Sequence, residues 1–222
     1  MWAKAKMKLE SYGILIGMRP LNERDAVAQI FTQDFGVMVG VMRGAVVAKK
    51  NKPLVGQVGA VSWNARLDSQ LGTFHWEAEK NLAAGLLVRP RALAEMNAAF
   101  GLLVALLPER EGYVTLYEDT VVLLNELNSG NESAYLKWET ELLRELGYAL
   151  DLSHCSGCGV AHNLNWLSPK TGRAVCDECA APYINKLYKL PLNLNTTGRF
   201  LDSVCIQQGI DMPMCRKMLN LM

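Results

Sequence analysis

Y-G-I-L-I-G-M, Tyr12–Met18, followed after a turn through Arg19–Arg24 by A-V-A-Q-I-F-T, Ala26–Thr32, decides the fold. Both stretches are rich in branched and aromatic side chains and are bounded by turn residues, as short β-strands are. In the second, Val27, Gln29 and Phe31 lie on one side and Ala26, Ala28 and Ile30 on the other. Asp34-Phe35-Gly36 then turns the chain into a third strand, Val37–Arg43. Gly56–Leu67 and Thr73–Ala78 read as the fourth and fifth, joined around Asp68–Gly72. Five short strands at this spacing predict a small closed or nearly closed barrel, because a sheet this small must curl to hide its edges.

From Asn81 the apolar period changes from two to about 3.6. Pro90 opens a helix that runs to about Leu107, where Pro108 stops it. Tyr113–Leu127 forms another, broken by Asn128-Ser129-Gly130-Asn131. Ser133–Leu146 follows, with Leu136, Leu142, Leu143 and Leu146 as its apolar stripe and Gly147 as its cap. The tail from Thr197 reads as two short helices separated by Asp211-Met212-Pro213. The expected class is α+β: a barrel over residues 1–80, a helical domain over 81–150, a cysteine module over 151–190, and C-terminal helices over 191–222 packing on the helical domain.

Inside that module, Cys155 and Cys158 form C-S-G-C, and Cys176 and Cys179 form C-D-E-C seventeen residues on. Two C-x-x-C hooks at this separation match the pattern in which four thiolates hold one tetrahedral zinc ion. Four protein ligands leave no open coordination position, so the expected zinc is structural and not hydrolytic. Four free thiols would leave both pairings to coincidence. Cys205 and Cys215 fall in the helical tail and read as buried free thiols.

Half of the 222 residues are hydrophobic, enough for a sizeable core, and the net charge is +1. Its distribution is uneven. Residues 1–80 hold 11 Lys and Arg against 7 Asp and Glu, and residues 81–222 hold 12 against 15. The amino-terminal part has the electrostatic reason to meet phosphate. No signal peptide is read at the N-terminus. The longest apolar run, Ala92–Leu107, is interrupted by Glu95 and Asn97 and is shorter than the roughly 20 residues a membrane span takes. A cytoplasmic, nucleoid-associated protein is expected.

Three stretches carry a resemblance to a known family: L-G-Y-A-L-D-L-S-H-C at Leu146–Cys155, L-D-S-Q-L-G-T-F at Leu67–Phe74, and L-S-P-K-T-G-R-A-V at Leu167–Val175. With the order barrel, helices, metal module, they make the chain similar to the bacterial recombination-mediator family RecO over about residues 10–195, with the likeness fading in the methionine-rich tail. The resemblance implies an oligonucleotide-binding (OB) barrel and non-catalytic work in DNA repair: binding single-stranded DNA, annealing complementary strands, and helping to load RecA recombinase onto DNA coated with single-strand-binding protein. It also implies RecR as a partner.

Such a barrel would grip phosphates through R-G-A-V-V-A-K-K-N-K, Arg43–Lys52, which has four cations in ten residues and no acid. Arg43, Lys49, Lys50, Lys52 and Arg66 are the candidate DNA contacts. The plainer reading of the loop is a solvated surface run. Strand aromatics such as Trp63 and Phe74 read as barrel core before base platforms. The resemblance further implies a helical dock for the acidic tail of single-strand-binding protein, for which Lys137, Trp138 and Arg144 are the candidates. Against it stands ordinary pairing of Lys137 with Glu141. No catalytic residue is nominated, since His75, His154 and His162 are scattered. The competing reading is a zinc-stapled interaction scaffold or regulator without a direct DNA role.

Overall fold

The first strand is longer than its apolar centre, and that length closes the sheet. The computed structural model describes residues 7–65 and 71–222. β1 (Met7–Pro20), β2 (Ala26–Thr32), β3 (Gly36–Met42), β4 (Gln57–Ala65) and β5 (Gly72–Asn81) form a closed barrel in the order β1-β2-β3-β5-β4. The C-terminal half of β1 pairs antiparallel with β2 and its N-terminal half with β4. β3 and β5 close the ring as a parallel pair, Gly40 opposite Gly72. A five-stranded barrel in this order is the OB fold.

The apolar residues on both sides of β2 each have a destination. Ala26, Ala28 and Ile30 point into the barrel, where they meet Leu15, Met38, Val61, Trp63 and Phe74. Phe31 points outward, and with Ile14, Ile16 and Val37 it joins the core of the helical body. The register of β1 shifts between Leu15 and Gly17. That bulge re-phases the strand, so Leu15 and Met18 both face the barrel interior although they differ in parity. Each large side chain buried across the barrel–helix seam contributes about 1.5–3 kcal/mol.

Beyond β5, a 3-10 turn (Ala84–Val88) leads into α1 (Pro90–Leu106), α2 (Val114–Ser129) and α3 (Ala134–Glu145). Then come β6 (Trp166–Leu167), β7 (Ala174–Val175), the single-turn α4 (Asp177–Ala180), a 3-10 helix (Ala181–Lys186) and β8 (Tyr188–Lys189). The three short strands make a sheet in the order β7-β6-β8. α5 (Leu194–Gln208) starts earlier than the sequence suggests, because the Asn193 carboxamide caps it, accepting hydrogen bonds from the Asn195 and Thr196 amides. α6 (Met214–Leu219) lies on α1, and α5 on α3.

One buried polar network ties the tail to the helical body. The Arg216 guanidinium, 1% exposed, grips both carboxylate oxygens of Glu139, through Nε at 2.5 Å and Nη2 at 2.7 Å. Its remaining donors reach the Leu194 carbonyl and Asn220 Oδ1, and the Tyr135 hydroxyl donates to Glu139 Oε2 at 2.6 Å. The tyrosine hydroxyl is held well above its ordinary pKa of 10.0, first by burial and then by the Glu139 charge.

Candidate nucleic-acid interface and four-thiol centre

At one end of the barrel, the β1–β2 turn and the segment leaving β3 are stitched together. Asn22 Oδ1 accepts from the amides of Arg24 and Asp25 at 2.8 Å, and so shapes the turn. The Asp25 carboxylate then accepts the Gly44 amide at 2.8 Å, and the Val46 amide donates to the Arg24 carbonyl. The Gly44 amide, with Asn22 second, holds the Asp25 carboxyl below its ordinary pKa of 3.8. Ala45 is buried in the barrel end, Pro53 is buried, and the Gly56 amide donates to the Leu15 carbonyl. The loop is thus pinned at both ends while Lys49, Lys50 and Lys52 stand exposed between the pins.

Arg24 and Arg43 line a shared hollow of 540 Å³ at this end. Arg43, Lys49, Lys50 and Lys52 are in no salt bridge among the described residues. Nothing in the linear pattern singles out Arg24; what raises it is tertiary, since the Ala26–Met42 pairing and the Asp25–Gly44 and Arg24–Val46 bonds bring it beside Arg43. Arg66 lies outside the described residues. Another wall, the outer face of β1, β4 and β5, forms a 410 Å³ hollow at Ala60 and Ser62 lined by Glu10 and Glu77 and by no lysine or arginine. Its sign is wrong for phosphate.

Trp63, Phe31 and Phe74 of the barrel are packing. Trp63 is 1% exposed, its indole N–H donates to the Val39 carbonyl at 3.1 Å, and the Arg110 guanidinium caps its ring at 4.6 Å. Phe31 and Phe74 are buried as well. Tyr12 is half exposed, and its hydroxyl donates to Glu79 on the acidic face.

On the helical body, the structure separates the three candidate dock residues. Trp138 is 2% exposed, and its indole N–H donates to Thr120 Oγ1 at 2.9 Å between α3 and α2, so it offers no surface. Arg144 pairs with Glu141, one turn back, in place of the expected Lys137–Glu141 pair. Lys137 lines a cleft of 20 Å³ whose walls include Asp119, Glu126 and Glu141. That cleft is too small for a side chain and carries the charge that repels an acidic peptide. A larger hollow, 390 Å³, opens where α1 begins, beside Arg89, Arg91, Glu95 and Leu127. Arg89 there donates to the last carbonyls of α2, Leu127 and Asn128, and Arg91 to Glu95.

The two cysteine hooks converge. The four Sγ atoms of Cys155, Cys158, Cys176 and Cys179 lie within 4.8 Å of one another. The first hook is a tight knuckle: the Cys155 amide donates to the Val160 carbonyl at 2.7 Å and the Gly159 amide to the Cys155 carbonyl at 2.9 Å. Gly159 takes the left-handed φ of +80° that closes it. Gly157 serves by its size, since a Cβ there would sit 3.0 Å from Cys179 Sγ. The Gly157 and Cys176 amides both point at Cys155 Sγ from 3.3 Å. Those donors, Cys176 foremost, bring the Cys155 thiol down to about 6. Crowding by the neighbouring sulfurs, Cys158 first, pushes Cys179 up to about 12. Cys155 therefore surrenders its proton readily, while Cys179 holds its own until a cation neutralises the thiolates. This donor set fits a soft, four-coordinate metal ion.

Fold and site together define an OB-barrel protein with a cationic loop end, joined to a helical body that carries a four-thiol metal-type module. The family described as the C-terminal region of Recombination protein O matches residues 89–210. A DNA repair protein RecO of a Ruegeria species is 38% identical over 217 residues, covering 89% of this chain and 89% of that protein. Those of Cereibacter sphaeroides and a Jannaschia species are 39% identical over 196 residues and 40% over 185, covering 86% and 82% of this chain and 81% and 74% of their own lengths. The chain belongs to the RecO family. Among the described residues no helix is long and apolar enough to cross a membrane.

Proposed function

We propose that the chain is a non-catalytic DNA repair factor that binds single-stranded DNA at the loop end of its barrel and anneals complementary strands. The observation that carries this reading is the paired pinning of the β1–β2 turn and the Arg43–Lys52 loop, which gathers Arg24, Arg43, Lys49, Lys50 and Lys52 at one end of an OB barrel. OB barrels take oligonucleotides on the face of strands 2 and 3 and with the β1–β2 loop, and here the β1–β2 turn is the one stitched to the Arg43–Lys52 segment. The cations neutralise phosphate without reading sequence, which is what a general annealing factor requires. Two strands repel one another, and neutralisation lowers that barrier with no nucleophile or acid–base pair involved. The family membership supports the same pathway, in which the factor meets single-strand-binding protein and RecR and helps RecA onto coated DNA.

The metal of the module is, in this reading, structural Zn²⁺ held by Cys155, Cys158, Cys176 and Cys179. Its bound ion supplies folding free energy to residues 151–190 and no chemistry. For the acidic tail of single-strand-binding protein the Arg89–Arg91 hollow offers more room than the α2–α3 cleft, although Glu95 and Glu132 line it and Arg91 is paired with Glu95.

The test is fluorescence anisotropy with labelled oligo-dT at several salt concentrations. Replacing Lys49, Lys50 and Lys52 together by Ala should weaken binding and lower the slope of log K against log salt by about 2, given about 0.7 per phosphate contact on a single strand. An unchanged slope would hand the barrel to the scaffold reading.

A further inference from the structure

The metal module carries a second surface whose chemistry the barrel reading does not use. The S-P-K-T-G turn between β6 and β7 is held by hydrogen bonds from the Ser168 amide to the Arg173 carbonyl and from the Gly172 amide back to the Ser168 carbonyl, both 2.9 Å. This hairpin presents Lys170 and Thr171 to solvent. Facing it is the 3-10 helix Ala181–Lys186, with Tyr183 58% exposed and Lys186 exposed. Side chains three apart on a 3-10 helix eclipse one another, so Tyr183 and Lys186 stand on one edge. Both elements line one hollow of 500 Å³, floored by Gly157, Val175 and Leu187.

Charge separates this hollow from the others. The hollows at Arg24, Arg89, Ala60 and Lys137 each have at least two carboxylates in their walls. Here the walls hold two lysines and no carboxylate. Neither Lys170 nor Lys186 is in a salt bridge among the described residues. An acidic peptide would need only the cations. An uncommitted aromatic face beside them, with the hydroxyls of Ser156, Ser168 and Thr171 around it, is the composition of a surface for unpaired bases and their phosphates. Cys179 is in the wall as well.

We propose that this hollow is a second single-strand contact, in which Lys170 and Lys186 meet phosphates and Tyr183 stacks a base. It rests on the single-strand reading above and deepens it. Annealing needs two strands near each other, and a protein that holds one on its barrel and another on its metal module makes their encounter intramolecular, at an effective concentration in the millimolar range.

The test uses the full chain and compares two readouts: anisotropy of one labelled oligo-dT, and annealing of complementary oligonucleotides followed by energy transfer. The double variant Lys170→Ala/Lys186→Ala should keep its metal content and most of its affinity for the first strand. Its annealing rate should fall several-fold at low salt and depend less on salt, because two phosphate contacts are lost. Tyr183→Ala should show the same split, and Tyr183→Phe, which retains the ring face, should anneal as the parent does. Unchanged annealing by metal-replete Lys170→Ala/Lys186→Ala overturns the second contact and leaves the hollow to a protein partner, while the barrel reading stands. A parent chain that binds no oligo-dT at low salt overturns both.

Discussion

A single Cβ decides whether the four-thiol knuckle can close. Gly157 packs against Cys179 and Cys155, and a methyl group there would lie 3.0 Å from one sulfur and 3.7 Å from another. Gly157→Ala should therefore open the cluster and weaken metal binding, measurable as faster zinc loss to a chelator. Cys158→Ser removes a ligand outright and should lose the ion together with the folded state of residues 151–190, because binding and folding of such a module are one equilibrium. Zinc stoichiometry and the melting profile report it, and a variant unchanged in both would show that Cys158 holds no metal. The sulfurs were legible in the sequence because ligand spacing is a local property. The amides that point at Cys155 were not, since the Cys176 amide arrives from twenty-one residues away.

At the scale of elements, the loop after β3 owes its geometry to a residue of the opposite charge. Asp25 sits among the cations of the proposed DNA surface, and a purely Coulombic account says that removing it helps a polyanion to bind. Its carboxylate, however, accepts the Gly44 amide that fixes Arg43 beside Arg24. Asp25→Ala should thus weaken oligo-dT binding a fewfold; tighter binding would show that charge outweighs positioning. The anchor also sets a pH dependence. Its folded pKa lies below the ordinary 3.8, so its contribution is present above that value and fades as pH falls through the depressed one. Exchange of the Gly44 amide, corrected for its intrinsic pH dependence, should rise in that acid window and not near neutrality. The strands and the loop were readable from alternation and turn residues, and so were α1, α2 and α3 to within a residue or two. The dock was not. Trp138 beside Lys137 looks like a surface pair in one dimension, but helical geometry turns the indole inward to Thr120. Arg24 and Arg89 became distinctive only when separate elements met.

For the whole molecule, the tail is where resemblance fades and where the fold is tied. Ile14, Ile16, Phe31 and Val37 of the barrel share one apolar cluster with α1, α2, α3 and α5. α6 enters that body through Arg216, whose partner Glu139 is fully buried on α3. Nothing in the periodicity of M-C-R-K-M-L marks Arg216 as a core residue, because a buried cation is recognisable only once its carboxylate is in place. Desolvating both ions costs several kcal/mol each, and their mutual attraction only roughly offsets it. The pair should therefore behave asymmetrically. Arg216→Met leaves the Glu139 carboxylate buried without its bidentate partner and should cost about 3–5 kcal/mol in denaturant unfolding. Adding Glu139→Leu removes the stranded charge, and adding Tyr135→Phe removes the hydroxyl that would then lack an acceptor. The triple variant should recover most of the loss. If it stays as unstable as Arg216→Met, the network contributes through packing and not through charge compensation. If Arg216→Met itself is neutral, α6 is not part of the cooperative body. Because barrel and helices share their apolar cluster, the loss in Arg216→Met should appear as one transition common to the strand amides of the barrel and the helical amides followed by NMR, and two separated transitions would show the barrel unfolding on its own.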